Sequence, residues 1–166
     1  MTTGRNPQWA SVVERSGNLH RITDTLYRSE QLIQGHVELL KSLGIATVIS
    51  FRAFHSDRRV LTDAAIELHR IPMHTWRIRD KDVIEALRLI SEGERTGAVL
   101  IHCLHGADRT GLVSAMYRMI HQGWTRDEAL DELQNGGYGF HSIWKNIPNY
   151  IRRVDLDALR RQLAAP

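Results

Sequence analysis

The chain has 166 residues, of which 42% are hydrophobic and 25% charged, and this composition is typical of one packed domain. It excludes a mainly disordered or collagenous protein. Lys and Arg number 22 against 19 Asp and Glu, so the net charge is +3, which favours anionic substrates but is too small to indicate a nucleic-acid binder. We expect a single domain over residues 1–166, with its core at about residues 9–155.

Three short apolar runs predict buried strands, because each is rich in Val and Ile and is bounded by Gly, Pro or polar residues. They lie at residues 45–51, 68–71 and 98–102, and residues 26–28 are expected to add an edge strand. Apolar residues at helical spacing predict helices at residues 36–43, 83–90 and 112–120. The tail at residues 142–163 has a broadly helical pattern that is interrupted near Pro148.

Two capping boxes predict where helices begin, because each pairs a short side-chain acceptor with an acid three residues later. They are Asp82 with Glu85 and Thr125 with Glu128. Strands and helices therefore alternate along the chain. This order predicts a single α/β domain in which helices flank a mainly parallel central sheet, with the ligand site at the carboxyl ends of the strands.

The loop after the strand at residues 98–102 carries a cysteine and an arginine separated by five residues, Cys103 and Arg109. Such a loop, between a buried strand and a helix, can turn its backbone N–H groups inward and bind an anion at the positive end of the helix dipole. Gly106 permits unusual backbone angles, and the guanidinium of Arg109 can bind two phosphoryl oxygens. The same field favours the thiolate form of a cysteine. We therefore predict that Cys103 attacks phosphorus and forms a phosphocysteine that water hydrolyses.

Two neighbouring side chains are expected to assist this loop. We expect the Thr110 hydroxyl to donate to the thiolate sulfur and His102 to orient the loop from behind. The histidines around Cys103 do not indicate zinc, because the chain has one cysteine and no second paired set of ligands. We expect no metal and no organic cofactor.

The run from His102 to Gly111 resembles the signature loop of the cysteine-dependent protein tyrosine and dual-specificity phosphatases. Further segments, at residues 26–29, 71–72, 122–124 and 136–139, resemble the small bacterial dual-specificity-like phosphatases, some of which are periplasmic. The likeness covers about residues 9–155, and only the loop from Cys103 to Arg109 is highly specific. It implies a dual-specificity phosphatase-like fold, a nucleophile at Cys103 and phosphoryl binding by Leu104, His105, Gly106, Ala107, Asp108, Arg109 and Thr110.

Phosphoryl transfer to the cysteine also needs an acid that protonates the leaving oxygen. The family usually supplies an aspartate from a loop before the catalytic strand, here residues 73–82. Asp82 is better explained as a helix cap, which leaves Asp80 as a catalytic candidate. Asp108 is a second candidate, because myotubularin-like and some lipid phosphatases carry aspartate at that position, and its alternative role is to fix the loop. Asp57 is a weaker third candidate.

Cationic side chains cluster on the same loop, namely His74, Arg77, Arg79 and Lys81. Such a rim attracts polyanions such as inositol polyphosphates, although a charged loop is often only solvated. Trp76 either stacks on a phosphotyrosine ring or packs in the core. We predict a protein tyrosine or dual-specificity phosphatase that binds substrate partly through Trp76 and Arg77, with an inositol polyphosphate phosphatase as the alternative. Residues 136–139 are expected to form a helix-ending turn.

Two other classes of protein use a similar loop. A rhodanese-type sulfurtransferase also has a cysteine in an anion-binding loop, but the sequence Arg109-Thr110-Gly111 favours phosphate. A non-catalytic phosphate-binding module is disfavoured, because both Cys103 and Arg109 are present. We expect a monomer that acts on a phosphorylated protein or an inositol phosphate, without a nucleic-acid partner or a membrane span. The predicted location is the cytoplasm for the sequence as printed, and the periplasm if a signal peptide precedes it.

Overall fold

The fold is given by a computed structural model, which describes residues 4–61 and 65–165. The strands of these residues form one sheet in the order β1-β2-β3-β6-β4-β5. They are Ser11–Glu14 (β1), Leu19–Thr23 (β2), Leu26–Ser29 (β3), Ile45–Ser50 (β4), Glu67–Arg70 (β5) and Ala98–His102 (β6). The strands β3, β6, β4 and β5 pair in parallel, whereas β1 and β2 pair antiparallel beside β3. The predicted α/β domain with a mainly parallel sheet is confirmed.

Helices cover both faces of this sheet. The short helix Val37–Ser42 (α1) contributes to the core on one face, after a 3-10 turn at Gln34–His36. The other face is covered by Asp80–Gly93 (α2), Arg109–His121 (α3), Arg126–Asn135 (α4), Asn146–Arg153 (α5) and Leu156–Ala164 (α6). Along β6, Val99 and Ile101 enter the larger core while Ala98 and Leu100 enter the smaller one. Burial on both faces explains why the central strands are continuously apolar.

The strand β3 lies inside the sheet, so the prediction of an edge strand at residues 26–28 is wrong. It pairs with β2 on one side and β6 on the other, and all four of its residues are buried. The strand β1 was not predicted, because it is exposed or half-exposed along its length and has no long apolar run. The strand β2 was not predicted either. The predicted strand at residues 68–71 is confirmed one residue earlier, as β5.

The start of α2 differs from the predicted capping box. The helix begins at Asp80 with Arg79 as its N-cap residue, and Asp82 lies buried inside its first turn. The carboxylate of Asp82 accepts a hydrogen bond from Arg79 Nε at 2.9 Å, so this ion pair replaces the predicted box with Glu85. The second predicted box is confirmed, because the side chain and backbone of Thr125 exchange hydrogen bonds with those of Glu128.

The tail forms two helices whose break is not at Pro148. This proline lies in the first turn of α5, where its missing N–H has no helical partner to lose. The break falls instead at Val154, after which Asp155 caps α6 by accepting a hydrogen bond from the Ala158 N–H. In the described part of the chain, no helix has both the length and the apolar character needed to cross a membrane.

Candidate active site

The signature loop joins the carboxyl end of β6 to α3, at the edge of the sheet where β3 and β4 also end. Cys103 follows β6 directly and is 2% exposed. Gly106 has a φ of +71°, and a Cβ atom at this position would lie 2.5 Å from the carbonyl oxygen of Ser29. The carbonyl of Leu104 accepts a hydrogen bond from the Gln31 N–H at 3.1 Å. The segment that follows β3 therefore fixes the shape of the loop.

Arg28 in β3 lies beneath the loop and was not predicted as a site residue. It is 1% exposed, its Nη2 donates to the Gly106 carbonyl at 2.9 Å, and its guanidinium lies 3.6 Å from the ring centroid of Tyr138. Burial lowers the pKa of Arg28 below its ordinary value, while Tyr138, Glu132 and Cys103 act in the opposite direction. An arginine within a short apolar run was the sequence signal for this buried cation.

The guanidinium of Arg109 connects the signature loop to two other loops. Its Nη1 donates to the carbonyl oxygens of Phe51, after β4, and Met73, after β5, at 3.2 Å and 2.9 Å. The Arg109 Nε and the Thr110 hydroxyl are buried without a hydrogen-bond partner among the described residues. Within that part of the chain, the predicted bond from Thr110 to the Cys103 sulfur is therefore not formed.

His102 and Asp57 form a buried pair behind Cys103. The His102 Nε2 contacts the Asp57 carboxylate, and its Nδ1 lies 3.2 Å from the Cys103 carbonyl oxygen. Asp57 also accepts a hydrogen bond from Gln31 Nε2 at 2.8 Å. Burial raises the pKa of Asp57, but the hydrogen bonds from His102 and Gln31 outweigh it, so this pKa lies below its ordinary value. A buried carboxylate stabilised as the anion is a poor proton donor, which argues against Asp57 as the acid.

Both carboxylate oxygens of Asp108 contact His141. Asp108 is 4% exposed, its Oδ1 accepts from the His141 backbone N–H at 2.9 Å, and its Oδ2 lies 2.7 Å from His141 Nδ1. The His141 side chain is 45% exposed, and its ring centroid lies 5.0 Å from that of His105. His141 was not predicted as a site residue, because a histidine after a glycine-rich turn is a weak signal. Within the described ranges, no three His, Cys, Asp or Glu side chains are grouped so that they could bind a metal ion.

Asp80 lies at the start of α2, outside the signature loop. Its Oδ1 accepts a hydrogen bond from the Tyr150 hydroxyl at 2.6 Å. Burial, together with the neighbouring Asp80 carboxylate, raises the pKa of Tyr150. Both residues line an open cavity of about 620 Å³ with Trp76, Arg77 and Arg153. The described residues that line this cavity come from the loop before α2, from α2 and from the α5 region, and not from the signature loop.

Three aromatic rings lie next to one another on the loops after β4 and β5, and Arg109 contacts the Phe51 and Met73 carbonyls of these loops. The ring centroid of His74 lies 6.0 Å from that of Phe54 and 4.4 Å from that of Trp76. Phe54 is 91% exposed and Trp76 is 63% exposed, so Trp76 is not a core residue. We call Phe54, His74 and Trp76 the aromatic rim.

The cationic residues predicted on the loop before α2 do not act as one group. Arg79 is paired with Asp82, whereas Arg77 and Lys81 are exposed. His74 is stacked on Trp76 as part of the aromatic rim. Arg77 is therefore the exposed cation that directly follows the rim in sequence.

The turn after α4 closes another side of the site. Gly136 ends α4, and the glycines at 137 and 139 have φ values of +82° and +88°, as expected for the predicted helix-ending turn. Asn18 Nδ2 donates to the backbone carbonyls of both His105 and Tyr138 at 3.0 Å. The signature loop and this turn are therefore connected through one side chain.

The fold and the signature loop define a cysteine-dependent phosphatase. A family model described as "Swiss Army Knife protein, DSP-PTPase phosphatase domain" matches residues 25–143, and the chain belongs to this phosphatase family. It is similar to the dual specificity protein phosphatase TpbA of Pseudomonas aeruginosa, with 42% identity over 160 residues that cover 96% of this chain and 73% of the relative.

Solved structures show the same relationship. The crystal structure of P. aeruginosa TpbA matches with a TM-score of 0.91 at 41% identity, covering 98% of this chain and 100% of that chain. A cysteine-to-serine variant of TpbA in complex with phosphotyrosine also gives a TM-score of 0.91, at 40% identity and the same coverage. The core catalytic domain of the PP-IP phosphatase SIW14 from S. cerevisiae shares the fold, with a TM-score of 0.78 at 22% identity over 92% of this chain and 93% of that chain.

Proposed function

We propose that this phosphatase hydrolyses phosphotyrosine in proteins. The observation that carries the proposal is the aromatic rim on the loops that Arg109 connects to the signature loop. Exposed aromatic rings favour offset stacking with the phenyl ring of phosphotyrosine. The relative TpbA is named a dual specificity protein phosphatase, and one of its structures contains phosphotyrosine.

In the proposed reaction, the Cys103 sulfur attacks phosphorus in line with the leaving tyrosine oxygen and forms a phosphocysteine. The guanidinium of Arg109 and the backbone N–H groups of the signature loop bind the phosphoryl oxygens as charge grows on them. The buried Arg109 Nε and Thr110 hydroxyl, which lack partners among the described residues, are donors that these oxygens would satisfy. Water then hydrolyses the phosphocysteine and releases phosphate.

Buried donors support the loop conformation that this chemistry needs. Arg28 binds the Gly106 carbonyl, and His102 lies within hydrogen-bond distance of the Cys103 carbonyl. Because these carbonyls point to donors behind the loop, the backbone N–H groups that follow them are available to the phosphoryl group. We propose that Leu104, His105 and Ala107 contribute to binding through this backbone.

Asp80 and Asp108 are the carboxyl candidates for the proton donor, and their surroundings differ. Asp80 is exposed and bound by Tyr150, on the side of the open cavity. Asp108 belongs to the signature loop, and both of its oxygens contact His141. Residues 73–79, the part of the loop that precedes α2, contain no carboxyl group, so Asp80 at the start of the helix is the first carboxyl candidate of this loop.

An inositol polyphosphate is the alternative substrate, and the exposed Arg77 beside Trp76 is the observation in its favour. An inositol ring is not aromatic, however, so it gains less from the aromatic rim than a phenyl ring does. The rim therefore favours phosphotyrosine over inositol phosphate.

Phosphate release from three substrates tests the proposal: a phosphotyrosine peptide, a phosphoserine peptide and inositol hexakisphosphate. We expect the highest kcat/KM for the phosphotyrosine peptide and no turnover by the Cys103→Ser variant. The Trp76→Ala variant should lose about two- to tenfold in kcat/KM on the phosphotyrosine peptide and keep its kcat/KM on the other two substrates, because one aromatic contact contributes about 0.5–1.5 kcal/mol. A higher kcat/KM for inositol hexakisphosphate would contradict the proposed substrate, and an active Cys103→Ser protein would contradict the mechanism.

A further inference from the structure

We infer that His141, oriented by Asp108, donates the proton to the leaving oxygen. This inference rests on the proposed phosphocysteine mechanism and deepens it. Asp108 is then a positioning residue, and His141 is the catalytic residue of the pair. The carboxyl that usually fills this role in the family is replaced here by an imidazole from the turn after α4.

The contacts of Asp108 explain why it is not itself the donor. Its Oδ1 accepts the His141 backbone N–H and its Oδ2 faces His141 Nδ1, so both oxygens are directed at the same residue. Asp108 is also 4% exposed. A proton on either oxygen would therefore be directed at His141 rather than at a substrate.

The position of His141 suits a proton donor. Its partner Asp108 directly precedes Arg109 within the loop that wraps the phosphoryl group, and its ring also contacts His105 of that loop. The ring is about half exposed, and because Asp108 uses Nδ1, the imidazole keeps Nε2 for a substrate. The ring contacts the Asp108 carboxylate and the His105 imidazole, and the carboxylate fixes its orientation.

The other carboxyl candidate is less well placed. Asp80 is bound by the Tyr150 hydroxyl and lines a cavity whose described lining residues do not belong to the signature loop. His141, in contrast, contacts two members of that loop. The structure therefore favours His141 over Asp80.

The proton and electron pairs balance over the two steps. In the first step the Cys103 sulfur forms a bond to phosphorus, the P–O bond to the leaving group breaks, and the leaving oxygen takes the proton from His141 Nε2. In the second step a water oxygen attacks the phosphocysteine, one water proton passes to His141 Nε2, and the P–S bond electrons return to the sulfur. His141 thus ends each cycle protonated, and no oxidant or reductant is needed.

Leaving-group dependence tests this assignment. We compare the parent with His141→Gln on phenyl phosphate and on 2,4-dinitrophenyl phosphate, whose phenolate leaves without protonation. We expect kcat/KM of His141→Gln to fall about 100-fold on phenyl phosphate and to change less than about threefold on the activated substrate. The matched control His121→Gln, at the far end of α3, should behave like the parent on both substrates. Equal losses on both substrates, or no loss on phenyl phosphate, would overturn the inference.

A second variant keeps the test informative if His141→Gln fails to fold. Asp108→Asn should show the same dependence on the leaving group, because an amide keeps one accepting oxygen and can no longer hold both the backbone N–H and Nδ1 of His141. Equal losses of Asp108→Asn on phenyl phosphate and on 2,4-dinitrophenyl phosphate, or a leaving-group effect that appears in Asp80→Asn instead, would overturn the assignment to His141. Failure of the underlying mechanism has a different signature. Formation of the phosphocysteine from the activated substrate requires no proton donor. If the mechanism itself is wrong, parent protein quenched during turnover of this substrate will contain no phosphocysteine at Cys103.

Discussion

At the scale of a single residue, the backbone conformation of Gly106 determines the shape of the signature loop. Its φ of +71° is strained for any residue with a side chain, and a Cβ atom would lie within 2.6 Å of backbone atoms of Ser29 and Glu30. The neighbouring atoms belong to the chain that leaves β3, so they cannot move aside as a flexible side chain could. Glycine is therefore required here for two separate reasons.

The variant Gly106→Ala should lose at least about 100-fold in kcat/KM, because displacing the loop by about 1 Å misplaces the donors around phosphorus. Gly123→Ala is a matched control, since Gly123 has nearly the same φ, +70°, and no atom within 4 Å of the added Cβ. We expect this control to cost about 1–2 kcal/mol of stability and to leave kcat/KM unchanged. Steady-state kinetics and urea unfolding of both variants check the prediction, which fails if the two alanines have the same effect on kcat/KM.

At the scale of an element, the starts of α2 and α4 look alike in sequence but differ in structure. Both carry a short polar residue with glutamate three positions later. In α4 the residues Thr125 and Glu128 exchange hydrogen bonds, whereas in α2 the carboxylate of Asp82 pairs with Arg79. The local pattern is the same, but a nearby guanidinium competes for the acceptor in α2.

This difference predicts unequal effects of two substitutions on stability. Thr125→Ala should lower the free energy of unfolding by about 1 kcal/mol, because it removes an N-cap hydrogen bond. Glu85→Ala should leave that free energy unchanged, since the exposed Glu85 takes no part in a box. Urea unfolding measures both, with kcat/KM as a check that neither variant disturbs the site. A loss for Glu85→Ala that matches that of Thr125→Ala would show that the box in α2 does form.

At the scale of the whole molecule, a buried carboxylate forms hydrogen bonds with segments that are far apart in the sequence. Glu132 in α4 accepts hydrogen bonds from Arg118 Nε in α3 at 2.8 Å, from the Tyr138 hydroxyl at 2.7 Å and from the Ala10 N–H at 2.8 Å. Burial raises the pKa of Glu132, but the bonds from Arg118 and Tyr138 outweigh it, so this pKa lies below its ordinary value. The negative charge of Glu132 is therefore part of the folded structure.

The same region contains a histidine that is buried in its neutral form. His20 is 5% exposed, and burial is the main cause that lowers its pKa from 6.5 to about 4. Between those two pH values His20 is protonated in the unfolded chain but not in the folded chain, so a fall in pH favours unfolding. Glu132 also makes the fold less stable in acid. The stability that it contributes is present above its unfolded pKa and is lost as pH falls through its folded pKa.

We therefore predict that the free energy of unfolding declines as pH falls from about 6.5 to about 4, and declines further below that. His20→Gln should flatten the decline between these two values, because glutamine does not titrate. Urea unfolding at a series of pH values measures the slopes. A parent curve that is flat from pH 7 to pH 4 would contradict the prediction.

The contiguous part of the site was predictable because it lies in one stretch of sequence. The apolar run before Cys103, the glycine at 106 and Arg109 at the start of a helix occur within twelve residues at about the spacing that an anion-binding loop needs. The alternation of strands and helices was visible for the same reason, because hydrophobic periodicity is a local property. The residues that surround the loop in the folded structure could not be predicted in this way.

The sequence by itself determined the α/β class and the signature loop, since both depend on residues that are neighbours along the chain. Only the tertiary structure decided that Arg28 lies beneath this loop, that Asp57 backs His102 and that Asp108 faces His141. These partners come from β3, from the loop after β4 and from the turn after α4. Contacts between segments so far apart in sequence arise from the order of the strands and the packing of the helices, which no local pattern encodes.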